Sequence, residues 1–262
     1  MAVFRSAIFS HACGQRIHVN FVFPQNDEGG GSSPEIKRTV LLLHGLNGND
    51  ESWLRDTLIE GWAERYQAAF VLPDCYRSWY SDMHYGPRFF SYITEELPSM
   101  LHRWFRLPTD REHFWVGGFS MGAYGALKCV LTRPDLFGGC VSLAPPPAGA
   151  IGNTQFTGEY TAVFGRPFGS PYGSTVEKKD NAYLLASDRS GTQPAPAMWI
   201  AVGEDDFLFP YVTDYWNHLK TLDLNWNHAS YPGHAHTWAF VNEAFPHGMD
   251  WLETQFPEKE AH

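Results

Sequence analysis

Cysteine is scarce in this 262-residue chain. There are four, Cys13, Cys75, Cys129 and Cys140, with no C-x-x-C and no paired spacing. That pattern supports neither a zinc site nor a redox dithiol, so no metal is expected. Reduced thiols in a cytoplasmic protein are the default reading. Long apolar runs are missing too: nothing approaches the ~20 residues of a membrane-spanning helix. The opening residues, Met1-Ala2-Val3-Phe4-Arg5-Ser6, lack the charged n-region and continuous apolar stretch of a secretory leader. There is no block of basic residues, and the net charge is −10, so neither nucleic acid nor an anionic membrane is an expected partner. Charged residues make up only 18% against 44% hydrophobic, which argues against disorder and for a compact chain. The length suits one α/β domain over 1–262, and no internal repeat is visible.

What is present is an alternation of strand-like and helix-like segments. Arg16–Phe23 alternates apolar and polar residues as a half-buried strand does. Thr39–Leu43, Ala68–Leu72, His113–Gly118, Gly139–Leu143 and Met198–Val202 are short apolar runs that suit buried parallel strands, and Asn227–Tyr231 reads as the last strand. Helical patterns lie between them at Ser52–Tyr66, Phe89–Phe105, Ala123–Leu131 and near Tyr211–Leu222, with a closing helix at Ala239–Phe256. This order predicts a mostly parallel central sheet with helices on both faces. Gln25–Pro34 reads as a Gly/Ser/Asp-rich loop. Residues 146–196, rich in Gly, Pro, Ser and Thr and without a clear long periodic element, are expected to be an insertion over the functional site, with a surface excursion that has no substrate role as the alternative.

The stretch Gly118-Phe119-Ser120-Met121-Gly122 carries the chemistry. It is a G-x-S-x-G directly after an apolar run and directly before a helical segment, the arrangement of the nucleophile elbow of α/β-hydrolases. The turn is strained and crowded, so glycines are required two residues before and after the serine. A serine hydroxyl is a weak nucleophile until an imidazole takes its proton, and the imidazole needs a carboxylate to orient it. Both partners stand downstream in the expected order. The strand Met198–Val202 runs into Glu204, Asp205 and Asp206, and Asn227–Tyr231 runs into His234 and His236. Spacing alone does not choose among three acids and two histidines. His44-Gly45-Leu46-Asn47-Gly48, after Thr39–Leu43, occupies the place of the loop that gives one oxyanion-hole N–H, while the residue after the nucleophile gives the other. These donors are assigned to Leu46 and Met121, and His44 to holding the loop. Trp79 and Tyr80 follow the strand end at Pro73-Asp74, the side on which open α/β sheets bind ligands, and are expected to bind substrate on its alcohol side, with packing in the core as the alternative reading.

The chain resembles the tributyrin-esterase branch of the esterase D family, which includes the S-formylglutathione hydrolases. The matching stretches are Met1-Ala2-Val3-Phe4, Leu42 through Asn49 with Trp53, Arg77 through Asp82, Tyr92 through Pro98, Gly118 through Ala123, Gly203 through Leu208 and Gly233 through Trp238. They run in order over nearly the whole chain. The resemblance implies an α/β-hydrolase fold. It also implies hydrolysis of short-chain acyl esters, acetyl or butyryl or O-acetylated sugars, in the cytoplasm, with no cofactor and as a homodimer or homotetramer. Hydrolysis of S-formylglutathione, or of feruloyl and other cinnamoyl esters, is the alternative. The family's acid precedes Phe-Leu, which points to Asp206, and its base stands in His-x-Trp, which points to His236. Three departures stand out: Glu204 replaces a small residue, His234 is an additional imidazole, and Asn47-Gly48-Asn49-Asp50 stands where the S-formylglutathione branch carries a cysteine.

Overall fold

A computed structural model describes residues 2–25, 35–146, 167–168 and 178–258. Its sheet has eight strands: β1 (Ala2–Ser10), β2 (Gln15–Phe23), β3 (Arg38–Leu43), β4 (Ala68–Pro73), β5 (Phe114–Phe119), β6 (Gly139–Leu143), β7 (Ala197–Gly203) and β8 (Trp226–Tyr231). They lie in the order β1-β2-β4-β3-β5-β6-β7-β8. β1 and β2 pair antiparallel, as do β2 and β4, and every later pairing is parallel. From β3 the chain winds first to β4 on one side and then to β5 on the other. The switch point therefore falls between β3 and β5, where α/β sheets open a crevice at the strands' carboxyl ends. The register aligns those ends, with Leu43 opposite Gly118, Phe119 opposite Leu143 and Gly203 opposite Tyr231. Loops leaving β3, β5, β7 and β8 accordingly converge on one edge.

The helices are α1 (Ser52–Asp56), α2 (Ile59–Tyr66), α3 (Leu97–Phe105), α4 (Met121–Thr132), α5 (Ala182–Arg189), α6 (Phe209–Leu219) and α7 (Trp238–Gln255). Two adjacent glycines on β5 show that both faces are covered. A Cβ on Gly117 would press on Phe245 of α7, whereas one on Gly118 would overlap Gly122 of α4. Successive strand residues point to opposite faces, so α7 and α4 lie on opposite sides. α2 shares the α7 side, since Trp62 stacks on Phe245 with ring centroids 4.8 Å apart. β3 to β7 are buried along their whole length, which is why they read as continuous apolar runs. Among the described residues, no helix is long and apolar enough to cross a membrane.

The structure departs from the sequence reading in several places. β1 was not anticipated; it is an edge strand with mostly exposed side chains, so it carries no half-buried alternation. Ser52–Tyr66 is two helices. Thr57 is extended and its hydroxyl bridges the Trp53 carbonyl and the Ile59 N–H, while Asn242 takes the Leu58 N–H at 2.9 Å. Phe89–Phe105 contains a π-wound turn at Tyr92–Glu96, where Glu96 accepts from Ser10 Oγ, His11 N–H and Ala12 N–H and so ties the β1–β2 turn down. Of the expected insertion at 146–196, residues 147–166 and 169–177 lie outside the described residues, as do residues 26–34 of the expected Gln25–Pro34 loop. The remainder of the insertion is more regular than expected. Asn181 caps α5 by accepting from the Tyr183 and Leu184 N–H groups, and α5 packs against α4 through Ala182 and Ala186. Only those two positions are buried, too narrow a stripe to register as periodicity.

A buried ion pair fixes this side of the sheet. Lys128 of α4 pairs with Asp180, and both are 3% exposed. The ammonium also donates to Ser81 Oγ at 2.8 Å and to the Tyr80 carbonyl at 3.3 Å, and Tyr124 donates its hydroxyl to the Asp180 carbonyl at 2.7 Å. Burial pushes the Lys128 ammonium below the ordinary lysine pKa, and the Asp180 carboxylate opposes that shift. Removing one partner strands a desolvated charge. Asp180→Ala is therefore expected to cost about 3–5 kcal/mol in urea unfolding, and Lys128→Met combined with Asp180→Leu markedly less than Asp180→Ala alone.

Candidate active site

The β5–α4 junction holds Ser120 at φ 58°, ψ −121°, a conformation L-residues rarely adopt. Such a residue persists only where its surroundings over-determine it. Here the Ser120 N–H donates to the Leu143 carbonyl at 2.9 Å, and its carbonyl accepts from the Ala123 and Tyr124 N–H groups at 2.9 and 3.2 Å. A Cβ on Gly118 would overlap the Gly122 carbonyl, and one on Gly122 would overlap the Leu43 carbonyl. The two motif glycines thus let α4 cross tightly over β5 and β3. Met121 is the first residue of α4. The first N–H groups of a helix have no intrahelical acceptor and sit at the positive end of its dipole, where they favour a developing anion.

β7 and β8 deliver the acid and the imidazole. Their loops meet where a Cβ on Gly203 would strike the His234 carbonyl, and the Asp205 N–H donates to that carbonyl at 3.0 Å. This packing carries Asp206 to His236, with Oδ2 2.6 Å from Nδ1. The other carboxylate oxygen accepts the Leu208 N–H at 2.8 Å. Asp206 is 3% exposed. A carboxylate accepts, so the bond assigns the proton to Nδ1 and leaves the Nε2 lone pair as a base. The ring is flanked by Phe119 and Phe207, with centroids 4.5 and 4.9 Å away. The competing residues are engaged elsewhere. Glu204 is exposed and accepts from Ser230 at 2.7 Å, Asp205 is exposed, and His234 Nε2 meets Glu243 Oε2 at 2.9 Å.

The loop after β3 is organised by His44, which is buried. Its Nε2 accepts the Cys75 N–H at 3.0 Å, so Nδ1 carries the proton and donates to the Gly45 carbonyl at 2.8 Å. Both nitrogens are spent on backbone, which makes His44 a brace for the loop. A Cβ on Gly45 would stand 3.5 Å from Ser120 Cβ, which shows how closely this loop approaches the serine. Leu46, Ser120 and His236 line one cavity of about 440 Å³, walled largely by Trp79, Phe119, Pro146, Phe207 and Trp238.

Sequence reasoning paired Trp79 with Tyr80, and the structure separates them. Trp79 reaches the cavity wall, though it is only 3% exposed and also packs on Tyr124. Tyr80 does not reach the cavity. It is fully buried, its ring lies against Gly125, and its hydroxyl donates to the His44 carbonyl at 2.7 Å. Both residues have positive φ, 53° and 50°, and consecutive side chains in that turn diverge, so Tyr80 supports the His44 loop from behind. Phe119, Phe207, Leu208 and Trp238 were not assigned as lining residues, yet each stands within two positions of a motif residue. Among the described residues, no three His, Cys, Asp or Glu side chains gather as metal ligands would.

With this geometry in hand, the comparisons converge. The Esterase family model matches residues 10–251. An acetyl esterase of Caldicellulosiruptor saccharolyticus is 28% identical over 228 residues, covering 83% of this chain and 84% of that one. The structure of a fluorophosphonate-binding serine hydrolase of Staphylococcus aureus superposes with a TM-score of 0.82 at 25% identity, over 96% of this chain and 98% of the other. An S-formylglutathione hydrolase of the same organism gives a TM-score of 0.79 at 25% identity, with the same coverage.

The Asp206–His236 contact generates a test. Asp206→Asn is expected to lower kcat by about ten-thousand-fold, as loss of the orienting carboxylate does in serine hydrolases. Asp205→Asn, altering an exposed side chain, is expected to leave kcat near wild type. The reverse order would exchange the two assignments.

Proposed function

The chain belongs to the Esterase family, within the esterase D and S-formylglutathione hydrolase group of α/β-hydrolases, and from that premise we propose that it is a serine carboxylesterase of short-chain acyl esters. Ser120 is the nucleophile, His236 the base and Asp206 its orienting carboxylate. The observation that carries the reading is the 2.6 Å Asp206–His236 contact beside a serine held in a strained elbow on the same cavity.

Ser120 Oγ attacks the ester carbonyl carbon as its proton passes to His236 Nε2. The carbonyl π electrons move to oxygen, and that oxyanion is met by the Leu46 and Met121 N–H groups. Each well-placed donor of this kind contributes about 3 kcal/mol to the transition state. Collapse of the tetrahedral species breaks the bond to the alcohol, which leaves with the proton from His236. Water then gives a proton to the same Nε2, attacks the acyl-enzyme and releases the carboxylic acid, and Ser120 recovers its proton. Asp206 stays ionised throughout and stabilises the imidazolium.

The aromatic residues beside Ser120 suit an apolar acyl group, and likeness to the acetyl esterase relative supports a short one. A thioester reading has support from the likeness to the S-formylglutathione hydrolase structure. The Asn47-Gly48-Asn49-Asp50 stretch, in place of a cysteine-containing one, favours the oxygen ester.

The decisive comparison is wild type against Ser120→Ala on acetyl, butyryl, octanoyl and feruloyl esters and on S-formylglutathione. We expect acetyl or butyryl esters to be turned over fastest. Ser120→Ala should lose about a million-fold in kcat while keeping its near-ultraviolet circular dichroism. Retained turnover in the variant removes the serine from the mechanism, and fastest turnover of S-formylglutathione replaces the oxygen ester by the thioester.

A further inference from the structure

Phe207 is out of keeping with its neighbours. Asp206 is 3% exposed and Leu208 2%, yet the ring between them is 60% exposed and lines the catalytic cavity. Its position is built by the acid itself. The Asp206 N–H donates to the Gly203 carbonyl at 3.1 Å, and the Asp206 carbonyl accepts the Phe209 N–H at 2.9 Å. Asp206 Oδ1 accepts the Leu208 N–H at 2.8 Å. A bond from an aspartate side chain to the N–H two residues on closes a tight turn, and here Phe207 stands at its tip. The Phe207 ring centroid lies 4.9 Å from that of His236, with the planes 54° apart. Phe119, the last residue of β5, comes to the same imidazole at 4.5 Å with the planes 30° apart. Phe119 is fixed by its strand position opposite Leu143 and by Trp238, 5.3 Å away between centroids. One carboxylate therefore sets two things. Oδ2 holds the imidazole edge at Nδ1, and Oδ1 holds the turn that brings Phe207 against the ring.

The strength of these contacts depends on the charge of the ring. Against a neutral imidazole the two phenyl rings offer dispersion and cover. Taking the Ser120 proton turns it into an imidazolium, and a cation within about 6 Å of an aromatic centroid is attracted by the negative face of that ring. Both phenyl centroids fall inside this distance. An interaction that is stronger in the charged state lowers the barrier to reaching it, whereas one equal in both states does not. The charged groups nearby have other places. Asp206 takes the Nδ1 edge, and Arg55, on the wall of the same cavity, is held by Asp56 at 2.8 Å. Glu204 and Asp205 on the acid's loop are exposed, and His234 on the base's loop meets Glu243 of α7 at 2.9 Å.

Resting on the proposed esterase mechanism, we infer that Phe119 and Phe207 clamp His236 and stabilise it selectively as imidazolium, which makes Phe207 a positioning residue of the base as well as a wall of the cavity. The test compares Phe207→Leu, which keeps apolar cover but removes the π face, with Phe207→Trp, which keeps the π face. Both fall on a mostly exposed side chain and should leave thermal unfolding unchanged. Two readings are taken on each: kcat and KM for 4-nitrophenyl acetate across pH, and the pH at which the His236 ring titrates. The second is followed by NMR of histidine-labelled protein, with the signal identified by its loss in His236→Gln. Without the π face the charged ring is less stable, so it takes a proton less readily. Phe207→Leu is therefore expected to move the titration and the acid limb of kcat/KM down by about half a pH unit and to lower kcat about two- to fivefold, the size of one cation–π contact at a partly exposed site. Phe207→Trp should restore both. A titration that stays in place or moves up in Phe207→Leu overturns the inference, and so does a loss confined to KM. Equal losses in the leucine and tryptophan variants overturn it too, because shape and not the π face would then be responsible. The NMR reading needs no turnover, which separates the two levels. A folded wild type that hydrolyses no ester removes the esterase mechanism, whereas an unmoved titration in an active enzyme removes the clamp alone.

Discussion

Gly122 lies so close to the Leu43 carbonyl that a single added carbon has no place. This contact sets the distance between α4 and the carboxyl end of β3, and most of the site follows from it. The approach brings Ser120 beside Gly45. It also puts the amino-terminal end of α4, where the Met121 N–H has no intrahelical acceptor, next to the loop that begins at His44. The strained backbone of Ser120 is tolerated because it is over-determined by its bonds to Leu143, Ala123 and Tyr124. Local strain is thereby offset by contacts spread over three strands and a helix.

Support radiates from the elbow in two directions. Behind the loop after β3, His44 spends both ring nitrogens on backbone groups, and Tyr80 takes its carbonyl from below. Lys128 and Asp180 then tie α4 to the Ser78–Ser81 turn, so Trp79 is held at the cavity wall by a buried polar network. On the other side, the loops of β7 and β8 are locked by the Gly203–His234 contact. The Asp206–His236 bond forms as a consequence of that locking. Buried polar groups are costly unless fully partnered, so these networks define one arrangement of the site.

Much of this was legible in the residues. The buried strands β3 to β7 announce themselves as apolar runs, and the elbow needs only its own residues to be recognised, since the glycines answer a local steric demand. Asp206 was harder to read. Glu204, Asp205 and Asp206 are equivalent as a string, and the preference for Asp206 came from likeness to a family. In the fold they differ because Asp206 alone turns inward, with one oxygen on the Leu208 N–H. For Trp79 and Tyr80 the residues left substrate contact and core packing both open, since nothing in an aromatic pair tells which ring faces the site when the backbone enters the left-handed region twice in succession, and Tyr80 went to the core. β1 and α5 were passed over because one is an exposed edge and the other buries only two alanines.

By itself, the sequence determined the alternation of strands and helices, the position of the elbow and the order of serine, carboxylate and imidazole along the chain. These depend on short-range rules: side-chain periodicity, the missing Cβ of glycine and the turn that ends each buried strand. Only the tertiary structure decided which carboxylate meets which imidazole, and that Tyr80 supports while Trp79 lines. Those features arise where segments far apart in the chain press against each other. Burial and direction there are set by the partner, and no local pattern records them.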